Sequence, residues 1–149
     1  MKSIVLIIIL ALTAATMDAQ TVEEGLTSHR WEDRLVLVLT DDISNETYQK
    51  QLEELYEEPE GLKDRRLVIY TILPERFRSD QGDNKEWEES SKLYTTYKRS
   101  DASFEILLIG LDGGVKLRQD KFLSNEQLFA RIDRMPMRQA ELERRDDGG

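Results

Sequence analysis

The chain has 149 residues, a net charge of −9 and an isoelectric point near 4.7, with 34% charged and 39% hydrophobic residues. So strong an acidic excess, with no basic stripe to offset it, argues against nucleic acid or an anionic membrane as a partner. There is no cysteine and a single histidine, His29. Thiol redox chemistry, disulfides and thiolate metal sites are thereby excluded, and a His-based zinc site or Ser-His-Asp triad is disfavoured.

The chain opens "MKSIVLIIILALTAATMDAQ". Lys2 supplies a positive start, Ile4 to Ala15 an apolar stretch too short for a bilayer, and small residues follow. That is the layout of a secretory signal peptide over residues 1–19, cleaved between Ala19 and Gln20 or, alternatively, after Ala15. A buried helix or an uncleaved anchor are the competing readings. The mature form is expected to be exported, periplasmic or secreted, and not embedded in a membrane.

Residues 20–33 form a polar lead-in. His29 there reads as a surface histidine, and Trp31 is expected to pack over a sheet edge. "RLVLVLT", Arg34 to Thr40, is a short apolar run bounded by charge, the mark of a strand buried on both faces. "DDISNET" follows, in which Asp42, Ser44 and Asn45 can each cap a helix. Tyr48, Leu52, Leu55 and Tyr56 then fall on one helical face, and Pro59 and Gly61 end that helix.

"RRLVIYTIL", Arg65 to Leu73, reads as a second buried strand closed by Pro74. "PERFRSDQGDNK" reads as a polar loop. Trp87, Tyr94 and Tyr97 suggest a helical stripe packed into a core rather than a binding platform. "FEILLIGL", Phe104 to Leu111, is a third strand, and "VKLRQD" alternates as a half-exposed fourth. Asp112-Gly113-Gly114 joins them. Because these glycines lie between two strands rather than before a helix, they make a hairpin and not a phosphate cradle. Ser124 and Gln127 have capping-box spacing, Leu123 and Leu128 that of a hydrophobic staple, and Leu128, Ile132 and Met135 continue an apolar face. Pro136 stops that helix or starts another. Residues 136–149 are a charged helix or tail that is expected to fray.

The order is β-α-β-α-β-β-α, an α/β thioredoxin-like arrangement with a central mixed sheet flanked by helices over residues 34–135. Ligands collect at the carboxyl ends of parallel strands, which singles out Asp41 and Asp42, with Ser44 and Ser103 as candidate neighbours. The pair could hold a divalent cation or act as acid and base, or simply cap a helix and be solvated. The calcium-loop spacing is absent, and no cofactor is indicated.

"RWEDRLVLVL", "DRRLVIY", "FEILLIGLDGGVKLR" and "LFARIDRMPMRQAE" resemble the bacterial domain-of-unknown-function 4174 family. That family is similar to a domain of vertebrate secreted matrix proteins, the sushi-repeat-containing and down-regulated-by-oncogenes proteins. The resemblance implies a thioredoxin-like fold, a bacterial origin and an exported location, with no established catalytic residues. Ser103 stands where redox thioredoxins carry a cis-proline. The expectation is a non-catalytic binding or interaction module of the cell envelope, with a protein partner. Two alternatives are a small-ligand or divalent-metal enzyme using Asp41 and Asp42, and a docking partner of an envelope redox protein.

Overall fold

The computed structural model describes residues 26–80 and 85–149. The expected signal peptide, and the cleavage expected between Ala19 and Gln20, lie outside the described residues. No helix among the described residues is long and apolar enough to cross a membrane.

The chain forms β1 (Arg34–Thr40), α1 (Glu46–Glu57), α2 (Pro59–Asp64), β2 (Leu67–Ile72), β3 (Arg76–Ser79), β4 (Glu88–Glu89), α3 (Lys92–Tyr97), β5 (Phe104–Ile109), β6 (Val115–Gln119), α4 (Asn125–Asp133) and α5 (Pro136–Asp146). The six strands make one mixed sheet in the order β4-β3-β2-β1-β5-β6. β1 runs parallel to β2, and every other pairing is antiparallel. The four strands β2-β1-β5-β6, one parallel crossover followed by a hairpin, are consistent with a thioredoxin-like domain.

β1 is central, flanked by β2 and β5, and all seven of its residues are buried. Its unbroken apolar run follows from that position, because alternate side chains enter two different cores. Val36 and Val38 join Leu55, Ile106, Leu128 and Ile132 on the face covered by α1, α2 and α4. Leu35, Leu37 and Leu39 join Tyr70, Phe77, Leu93 and Leu107 on the other, which α3 and Leu26 cover. Fully burying one such Leu or Ile stabilises by about 1.5–3 kcal/mol, so two shared cores compensate for the absence of disulfides.

The hairpin forms as its residues require. Gly110 N–H donates to Gly114 C=O at 2.9 Å, and Gly113 takes φ 81°. Asp112 Oδ1 accepts from Gly114 N–H at 2.9 Å, while its other oxygen meets Lys116 Nζ at 2.8 Å. The Ser124–Gln127 capping box is present, and Leu123 and Leu128 lie in the same core.

Several local expectations are corrected. Pro59 opens α2 rather than only ending α1, because a proline suits the first helical position, where no N–H is needed. Gly61 lies within α2. "ERFRS" contains a strand, β3, whose alternation sends Phe77 into the core. Trp87 is not on a helix: it precedes β4, and the guanidinium groups of Arg76 and Arg78 lie over its ring, 4.6 and 4.8 Å from the ring centre. Trp31 does not pack over the edge but is 58% exposed at φ 70°. His29 is not at the surface. It is buried, with Nδ1 2.8 Å from Asp33 and Nε2 2.9 Å from the Tyr70 hydroxyl. Residues Pro136–Asp146 form a helix, α5, tied to the rest of the fold by ion pairs described below.

Candidate functional site

β1 and β2 end side by side, and the turn after β1 is fixed by its own polar groups. Thr40 Oγ1 donates to the Asp42 carbonyl at 2.9 Å, and Asp42 Oδ1 accepts from Ser44 N–H at 2.8 Å. That bond, with the Ser44 hydroxyl, holds the Asp42 carboxyl below the usual carboxylate range. Asn45, rather than an acid, caps α1 by accepting from Tyr48 N–H at 3.0 Å. Its amide also donates to Ser103 Oγ at 2.8 Å, and Asp41 N–H donates to the Ser103 carbonyl at 3.2 Å. The candidates therefore do come together: Ser103 is tied to both sides of the β1–α1 turn.

Asp41 and Asp42 face a groove of about 900 Å³ between that turn and the β2–β3 connection. Leu73, Pro74, Glu75 and Arg76 line it from one side and Glu89 from another. Ser44 and Ser103 stand beside it and do not line it. Four carboxylates against one guanidinium make its field negative, and Ile43 adds an exposed apolar side chain at its rim. Among the described residues, no three His, Asp or Glu side chains converge as a metal site requires.

Glu105, unremarked in the sequence, lies behind the turn on β5 at 1% exposure. It accepts from the backbone N–H groups of Arg99 and Ser100 at 3.0 Å each, and from the Arg118 guanidinium. Burial opposes its charge, but these donors outweigh burial and hold its pKa below the ordinary value. Tyr94 sits nearby, its hydroxyl pKa raised by burial and by the charges of Asp41 and Glu105.

At the opposite end of the sheet, Arg34 and Arg138 are each 1% exposed. Arg34 donates through both terminal nitrogens to Glu141, at 3.1 and 3.4 Å. Arg138 reaches Asp64, Asp133 and Glu141. Arg65 grips Asp133 at 2.7 and 3.0 Å and lies 4.1 Å over the Phe129 ring. The network joins β1, α2, α4 and α5. A lone charge in an apolar strand is the signal that could have revealed Glu105 and Arg34, since burial there demands a partner.

The fold and the groove define an α/β protein with a mixed sheet and an acidic cleft at the ends of its parallel strands. The family model described as "Domain of unknown function (DUF4174)" matches residues 25–141, and the chain belongs to that family. Neither the curated proteins nor the solved structures give a match.

Proposed function

We propose that this protein is an exported, non-catalytic binding module of the cell envelope that receives a positively charged segment of a partner protein in the Asp41–Asp42 groove. The observation that carries the reading is the groove itself: four acids and one arginine line a cleft of about 900 Å³ at the carboxyl ends of two parallel strands. Such a field draws in cationic groups and disfavours anionic ones. General acid–base work at neutral pH calls for a carboxyl raised toward 7, and Asp42 is shifted the other way. The export half of the proposal rests on the charged, apolar and small-residue layout of the first nineteen residues.

A photo-crosslinking residue in place of Ile43, compared with one in place of Glu143 on α5, tests the reading in intact cells. A protein adduct is expected from the groove position, and it should vanish when Asp41 and Asp42 are both changed to Lys. An adduct that survives the double charge reversal would remove the electrostatic basis of the proposal. A thermal shift with Mg²⁺, Ca²⁺ or Mn²⁺ that disappears in Asp41→Ala or Asp42→Ala would replace it with a metal-binding function.

A further inference from the structure

A second cavity, of about 270 Å³, opens on the face of the sheet covered by α3 and Leu26, beside the turn of the β5–β6 hairpin. Its floor is apolar: Leu35, Leu93 and Ile109 belong to the second core and are buried. Arg30, Lys92 and Gly113 stand in the same wall, and its other polar side chains carry hydroxyl groups. Among the described residues no acid lines it. In a chain of net charge −9 this is a local reversal of sign, and it is the opposite of the Asp41–Asp42 groove.

The hairpin glycine sets where the cation lies. Gly113 supplies the positive φ of the turn, and it also leaves room for Arg30: a Cβ there would stand 3.0 Å from Arg30 Nε and 3.1 Å from its Nη2. The exposed guanidinium rests against this turn and makes no ion pair with a described acid. The carboxylate next to it in the chain, Asp112, is already engaged by Gly114 N–H and Lys116 Nζ. Lys92, which has a contact of its own, adds a second positive charge to the wall. A planar guanidinium without an acid suits a carboxylate, which it can meet with two parallel N–H groups. A concave site with an apolar floor and a few charges of one sign has the composition of a small-ligand site.

We propose that this cavity binds a small monocarboxylate with a compact apolar body, the carboxylate at Arg30 and the body against Leu35, Leu93 and Ile109. The site shares no residue with the acidic groove, and either can fail without the other. Phenylacetate is the probe, with phenethylamine as the charge-reversed control, titrated into the purified protein carrying ¹³C-labelled isoleucine δ1-methyl groups. The Ile109 methyl should shift saturably with phenylacetate, at a Kd of about 1 mM or tighter, and should not respond to phenethylamine. Ile106 and Ile132, in the first core, should not move with either compound.

Arg30→Gln is the discriminating variant. Arg30 is exposed and holds no acid, so the fold should be kept. The loss of its charge should weaken phenylacetate by about ten-fold or more, read at Ile109. Arg144→Gln, which removes the same charge from α5, should leave binding unchanged. Equal response to phenylacetate and phenethylamine would overturn anion recognition. The absence of a saturable Ile109 shift up to about 10 mM, or undiminished binding in folded Arg30→Gln, would overturn the site. An equal loss in Arg144→Gln would overturn it too, because net charge rather than Arg30 would then carry the binding.

Discussion

The two ends of the central sheet use the same kinds of residue to opposite effect. At the carboxyl ends of β1 and β2, Asp41 and Asp42 are exposed, and Asp42 is engaged by its own turn. At the amino end of β1, Arg34 and Arg138 are buried and reach acidic partners on three helices, α2, α4 and α5. An exposed charge is solvated by water and is available to a partner. A buried one must be compensated within the fold, so it becomes a structural tie. The acidic end is therefore open for recognition, while the arginine end determines whether α5 stays docked.

The largest effect that would test this contrast comes from Arg138→Ala. Removing it leaves Asp64, Asp133 and Glu141 without a shared cation, and a loss of about 3–5 kcal/mol is expected in urea denaturation. Arg145→Ala, at the exposed margin of the same network, should cost less than about 1 kcal/mol. Comparable losses from both would show that burial is not what separates them.

Next in size is Gln51→Ala. The Gln51 side chain is buried and holds both backbone groups of Leu123, accepting from its N–H at 2.7 Å and donating to its C=O at 2.8 Å. Stranding both groups should cost about 2–4 kcal/mol by the same measurement. A neutral outcome would mean that water replaces the amide.

Gly113→Ala should cost about 1–2 kcal/mol, because φ 81° is strained for alanine and a Cβ would stand 3.0 Å from Arg30 Nε. A stabilised variant would show that the hairpin relaxes to another turn.

The two ends also differ in acid. For Asp133 and Glu141, burial pushes the pKa up, but their arginine partners outweigh it and hold both below the ordinary values. Such groups stabilise the fold fully above the unfolded pKa values of 3.8 and 4.5, and the stability is lost as pH falls through the lower folded values. Glu141→Gln should therefore flatten the acid limb of a stability–pH curve below about pH 4.5. The smallest effect is expected from Asp42→Asn, which should leave the neutral-pH denaturation midpoint unchanged while weakening capture of a cationic partner. A marked loss of stability would make Asp42 a structural residue instead.

What the sequence determined by itself was local. Apolar runs marked β1, β2 and β5 because a strand buried on both faces has no polar side to display. Asp112-Gly113-Gly114 marked the hairpin because only a turn there accepts a positive φ. Ser124 and Gln127 marked the start of α4 because the two residues satisfy each other's backbone. The candidate acids were legible too, since the end of a parallel strand follows from element order.

Tertiary structure decided which charges are buried and with whom. Arg34 meets Glu141 across 107 residues, and His29 meets Tyr70 across 41. Neither separation leaves a periodic trace in the chain. Within the polar lead-in, Leu26 covers the second core, and the charged end forms a helix tied to the fold by its arginine and glutamate partners. The reason is that the cost of burying a charge depends on the partner that meets it, and that partner is supplied by the fold rather than by neighbouring sequence.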